Sequence, residues 1–337
     1  MVPGRVSGLR IRTLSHHLSL ASMRFANGDP RPSASVQPPG DNPTPARRLL
    51  TLNRLELGDA LGVPRVLQPP LAPLLTPAAR ALTDVLLDAE ATLGAAGLRA
   101  AMARLVERYT AGVIATAAVP VPARGPLLIL ANHPGLMDAP ALVTALPRDD
   151  VVLVARQRPW FDAMPHLRRH LLELPAAGSS TRALGLMSQA LAAGRCVVLF
   201  PAGAIEPDPQ RDPAAHRSLA RWSRSFEWLA KRHGDLAVVP AAIGGVLHPK
   251  ALAHPLVALR RRPAHRAWLA ASLQAVLPRY WNRPVAVHFG APLPARADAA
   301  TLRRTMAELL HRVAMAPAAV EPQNPPRRRR CQRRLAR

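Results

Sequence analysis

The chain has 337 residues, 49% of them hydrophobic, enough to bury one large core or two modest ones. Its 45 Lys and Arg, nearly all arginine, against 21 Asp and Glu give a formal net charge of +24, which asks for an anionic partner: nucleic acid, anionic lipid headgroups or a phosphorylated small substrate. Aromatic residues are only 4% and nowhere interleave with basic ones as a single-strand stacking platform would, so no specific nucleic acid is expected.

In chain order, residues 1–48 are rich in Pro, Ser, Gly and Arg without a sustained period and read as a disordered leader. Its "LSLASM" is too short and polar for a secretory signal. Residues 49–120 read as an N-terminal helical segment, with one or two amphipathic helices from Pro77 to Tyr109. The run 109–123 comes nearest to a membrane span but is short and holds two prolines, so any membrane contact is expected at the surface.

Residues 121–316 read as the catalytic-size domain. Short apolar runs at 126–131, 151–155, 196–200, 236–243 and 285–289 predict strands covered on both faces. Helices are expected between them, over 179–194 with a stop at Gly194 and over 214–234 with a stop at Gly234. The fold class is therefore α/β, a mostly parallel central sheet flanked by helices, with N-terminal helices in front. Residues 317–337, ending "PPRRRRCQRRLAR", read as a basic disordered tail. The two cysteines, Cys196 in an apolar run and Cys331 in that tail, make neither a disulfide framework nor a metal site and fit a reducing compartment.

The chemistry concentrates in "LLILANHPGLMDAP", 127–140, where a predicted strand ends on Asn132 and His133, a Pro-Gly turn follows, and Asp138 opens the next helix. Such a turn can fold the carboxylate back onto the imidazole, making His133 a base and Asp138 the group that fixes its tautomer. No G-x-S-x-G is present and Cys196 lies inside a strand, so the nucleophile is expected to be a substrate hydroxyl that His133 deprotonates for direct attack on a thioester. His166, His170, His248, His254, His265 and His288 show no spacing tied to a carboxylate or cysteine, so no metal is expected.

Together "NHPGLMD", "VLVARQRPWFDAMP" (152–165), "LELPAAGSSTRALG" (172–185), "VVLFPAGAIEPD" (197–208) and "LAVVPAAIGG" (236–245) resemble the glycerolipid acyltransferase family, of the lysophosphatidic acid acyltransferase type, over about 120–295. The resemblance implies a glycerol-3-phosphate acyltransferase-like fold. It also implies O-acyl transfer from acyl-CoA or acyl-carrier protein to a lysophospholipid, glycerol phosphate or related lipid acceptor, with no further cofactor. On it, His133 and Asp138 match the catalytic H-x4-D block; Phe200, Pro201 and Gly203 match the Phe-Pro-Glu-Gly block; Val239 and Pro240 match a late Val-Pro strand; and Arg182 matches the arginine of the second block. Asn132, Gly135 and Arg156, beside these blocks, complete the expected substrate-binding set, and Arg158 is a further source of positive charge.

The sequence departs from that pattern at Ala202, Ala204 and Ile205, where the family has Glu, Thr and Arg. Losing the arginine removes a bidentate phosphate partner, which makes another amphipathic alcohol credible as acceptor. The alternative is a catalytically degenerate basic protein that binds lipid or nucleic acid; a thioesterase, with water as acceptor, is a third reading. The stretch 254–281, with Arg260, Arg261, Arg262, Arg266, Trp268, Tyr280 and Trp281, suits a membrane surface. The expected location is cytoplasmic, peripheral on the cytoplasmic membrane face.

Overall fold

A computed structural model describes residues 43–174, 180–294 and 297–316. The first helix, α1 (Pro45–Leu61), starts where Thr44 Oγ1 accepts the amide of Arg47 and proline takes the first position, and it ends at Gly62 in the left-handed conformation. The next, α2 (Gln68–Tyr109), folds back along it, with Asn53 Nδ2 donating to Thr83 Oγ1 at 3.0 Å in the buried seam. At Gly97, φ 83° and ψ 176° break α2 into two rods, a conformation essentially reserved for glycine.

The rest alternates strands and helices: β1 (Val113–Ala117), β2 (Leu127–Ala131), α3 (Asp138–Ala145), β3 (Val151–Arg156), α4 (Pro165–Arg168), β4 (Leu171–Leu174), α5 (Ser180–Ala192), β5 (Cys196–Leu199), α6 (Ser225–Arg232), β6 (Ala237–Gly244), α7 (Pro249–Leu252), α8 (Pro255–Ala258), α9 (Pro263–Val276), β7 (Val285–Phe289) and α10 (Ala299–Ala314). Among the described residues the strands form one seven-stranded sheet in the order β1-β7-β6-β2-β5-β3-β4. All neighbours are parallel except β6 and β7. The fold is α/β, as the apolar runs predict.

Why those runs are continuous is clear from β2, the middle strand. Leu127, Ile129 and Ala131 pack into the core layer shared with α2 and α3, while Leu128 and Leu130 pack into the layer shared with α5, α6 and α10. Both faces are covered, so no position is free to be polar. At the opposite end of the sheet the buried Arg148 guanidinium donates to Asp150, to Gly125 O at 2.7 Å and to Gly194 O at 2.8 Å. It thereby ties together the segments leading into β2, β3 and β5.

Several expectations need correction. The leader bound at 48 is too late, because α1 begins at Pro45; residues 1–42 and the tail 317–337 lie outside the described residues. The bound at 120 also fails, since β1 precedes it and pairs with β7. Edge strands β1 and β4 escape the sequence pattern because neither is buried along its length. The helix expected over 214–234 is two pieces, a 3-10 helix Ala215–Arg221 and then α6. Between them the amide of Trp222 still closes the 3-10 helix on Leu219 O while its indole donates to Glu206, and the amide of Ser223 donates to Pro201 O, which withdraws Ser223 from helical bonding. Gly194 does stop α5 in the left-handed conformation, whereas α6 ends at Arg232, before Gly234.

Candidate active site

The carboxyl end of the central strand β2 is where parallel sheets gather ligands. Asn132, the first residue past it, is fully buried and exchanges two hydrogen bonds with the backbone of Ile243, at 2.8 and 2.7 Å. Both polar ends of its amide are therefore spent on extending the β2–β6 ladder. The structure gives it this role in the scaffold beneath His133.

His133 follows, with its ring leaving the sheet. The turn Pro134-Gly135 brings the chain back so that Asp138 Oδ2 lies 2.6 Å from His133 Nδ1. The same oxygen accepts the amide of Gly135 at 3.0 Å, and Oδ1 accepts the amide of Ala139. Asp138 is 1% exposed at the amino end of α3, where backbone amides favour a negative charge. Its grip makes Nδ1 the donor, which leaves Nε2 as the proton-accepting nitrogen. Nε2 has no hydrogen-bond partner among the described residues, and the imidazole side chain is 30% exposed.

Gly135 serves the turn. A Cβ there would sit 3.0 Å from Val246 Cγ1, so a side chain would push the turn off the β6–α7 loop. Phe200, at the end of β5, stacks on the imidazole with ring centroids 4.6 Å apart and planes 29° from parallel. Pro201 is buried and accepts the amide of Ser223, while Gly203 closes a turn to Phe200 O with φ 62°. These shape the loop over His133. Arg156 ends β3 and is exposed, and Arg182 is exposed in the first turn of α5. Among the described residues Arg156 makes no hydrogen bond or ion pair with His133 or Asp138.

One residue of the site has no counterpart in the expected set. Glu206, 3% exposed, accepts the amide of His133 at 3.0 Å, and its own amide donates to His133 O at 2.7 Å. Its second carboxylate oxygen accepts Ser218 Oγ at 2.6 Å and Trp222 Nε1 at 2.8 Å. Two residues on, Asp208 is 5% exposed and holds the amides of Gln210, Gly245 and Leu247. The resemblance places the block's glutamate at 202, where this chain has alanine, and so draws attention away from 206. The carboxylates of "IEPD", in the loop that follows the β5 run, were the available signal.

Electrostatics follow the geometry. Burial disfavours a charged His133, but the Asp138 charge and hydrogen bond, together with Glu206, outweigh it and raise the imidazole above its ordinary pKa. Burial also raises Glu206, against the bonds from Ser218, Trp222 and His133. The Cys196 thiol, buried in β5, is pushed up to about 12 by desolvation and is no nucleophile.

A cavity of about 290 Å³ lies between the two rods of α2 and residues 160–167, lined by Leu86, Leu93, Ala101, Met102, Leu105 and Met164 among others. Its single ionisable lining residue, Glu90, caps the amides of His166 and Leu167. Leu93, Ala101 and Met102 belong to the core layer that includes Ala131 and receives Phe200.

No protein-family model matches the chain, and no curated protein matches it. Among solved structures it is similar to the 1-acyl-sn-glycerophosphate (LPA) acyltransferase PlsC of Thermotoga maritima, at 14% identity and a TM-score of 0.39, over 79% of this chain and 96% of that one.

Proposed function

We propose that the protein is an O-acyltransferase that moves a fatty acyl group from a thioester to a lipid alcohol. The observation that carries this reading is the His133–Asp138 pair, a buried carboxylate 2.6 Å from one ring nitrogen and an unpartnered second nitrogen on a part-exposed imidazole. His133 Nε2 takes the proton of the acceptor hydroxyl as its oxygen bonds to the thioester carbonyl carbon. The tetrahedral adduct collapses by breaking the carbon–sulfur bond. The thiolate leaves with the proton held by His133, giving ester and free thiol, with no acyl-enzyme on the way.

Acyl-CoA or acyl-carrier protein is the proposed donor, and the apolar cavity beside α2 the proposed seat of its chain. Arg156, the last residue of β3, and Arg182, in the first turn of the helix after β4, stand on the same edge of the sheet as His133 and suit the donor's phosphates. A peripheral position on the cytoplasmic membrane face is part of the reading. In its support, Leu259 and Leu256 are exposed close in sequence to Arg261 and Arg262, and Arg260 lies against Gly62, four residues ahead of the exposed Val66 in the chain. Each arginine near an anionic surface contributes about 1 kcal/mol. No helix among the described residues is long and apolar enough to cross a membrane.

The test is thiol release from a long-chain acyl-CoA by the purified chain, with and without mixed lipid alcohols. Acceptor-dependent release with matching ester formation is expected. Release without acceptor would make the protein a thioesterase, and no release alongside salt-sensitive vesicle binding would make it a binding protein.

A further inference from the structure

We propose that the alcohol activated by His133 is a non-phosphorylated amphipath, uncharged or amine-bearing, and not a phosphate monoester. This rests on the acyl-transfer reading and names its acceptor. The imidazole is framed by two loops, residues 132–138 and 200–208, and neither contains a lysine or arginine. Their ionisable side chains besides His133 are Asp138, Glu206 and Asp208, all buried. The charges acting most strongly on His133 are the first two of these carboxylates. What the loops offer to solvent is apolar: Leu136 is 55% and Ile205 47% exposed, with Phe200 half-buried between the imidazole and β5.

Position then decides the chemistry. In a glycerol-phosphate acceptor the phosphate sits only a few bonds from the attacking oxygen, so a hydroxyl at Nε2 places the dianion inside these two loops. There it meets isoleucine and leucine over buried carboxylates, with no lysine or arginine of either loop to replace the water it gives up. An uncharged carbinol loses nothing at that rim, and an amine gains from the carboxylate field. Arg156 stands outside both loops: it starts at the end of β3, with β5 between it and β2, two strand spacings or roughly 10 Å away.

The full chain is assayed for thiol release with one acyl-CoA and three acceptors of equal chain length: a monoacylglycerol, an amine-bearing lyso-lipid with a free hydroxyl, and lysophosphatidate. The expected kcat/KM for the better of the first two exceeds that for lysophosphatidate by at least about tenfold. In Ile205→Arg, a change on an exposed side chain, that ratio narrows or inverts while thermal unfolding stays put. Equal or better use of lysophosphatidate by the unaltered chain overturns the inference and leaves acyl transfer standing. If no acceptor stimulates release, the acyl-transfer reading is what fails. Equilibrium binding of the three amphipaths to the His133→Ala chain then decides the acceptor question, with tightest binding of lysophosphatidate counting against it.

Discussion

Glu206 grips the backbone of His133 from both sides, accepting its amide at 3.0 Å and donating to its carbonyl at 2.7 Å. Backbone amide and carboxylate together set where the imidazole starts from the sheet, and the carboxylate adds to the negative field around it. In Glu206→Gln the charge goes and one of the three donors aimed at the carboxylate loses its acceptor. The expected result is a fall in kcat/KM of about tenfold and an acidic limb of the pH profile displaced to lower pH. A purely structural role would lower activity and stability without moving that limb.

The raised His133 pKa has its own consequence in the unaltered protein. Only the neutral ring accepts a proton, so kcat/KM should climb with pH through a midpoint above the ordinary 6.5. The stability effect has the opposite sense. A group whose folded pKa exceeds its unfolded one stabilises the fold below the unfolded pKa, and that contribution is lost as pH rises through the folded value. Urea unfolding at pH 6 and pH 9 should therefore show a larger drop for the unaltered chain than for His133→Gln.

Filling the apolar cavity should change chain-length preference. Ala101 is fully buried in its wall, on the second rod of α2 just past the Gly97 break. Ala101→Leu adds three carbons to a space of about 290 Å³, and each acyl methylene that no longer fits forfeits about 0.8 kcal/mol. Long-chain donors should lose roughly tenfold or more in kcat/KM while short-chain donors are used as before. Uniform loss across chain lengths would place the acyl chain elsewhere.

Arg148 supplies a control remote from the chemistry. Its side chain is 1% exposed and its four hydrogen bonds reach Gly125, Asp150 and Gly194 at the far end of the sheet. Arg148→Ala removes a buried donor from two backbone carbonyls and from Asp150 and leaves a void, so urea denaturation should report a loss of about 3 kcal/mol. Turnover of the folded fraction should stay within about twofold.

The central strands were legible because burial on both faces leaves an unbroken apolar run, as in "LLILA" and "CVVL". The edge strands "VIATA" and "LLEL" were not, since partial exposure erases the same signal. At the site, His133 and Asp138 were readable because a Pro-Gly turn separates them by a short, fixed stretch. Glu206 was not, because its partners Ser218, Trp222 and His133 come together only through the folding of the loop after β5. The scaffold role of Asn132 was not legible for a like reason: nothing local announces a bond to Ile243, 111 residues away.

The most direct test is the turnover of His133→Ala beside Asp138→Asn in the acceptor-dependent thiol-release assay. His133→Ala should lose about a hundred- to ten-thousandfold in kcat with unfolding temperature little changed, and Asp138→Asn should fall short of the unaltered chain by a comparable margin. Full turnover in purified His133→Ala would contradict the account.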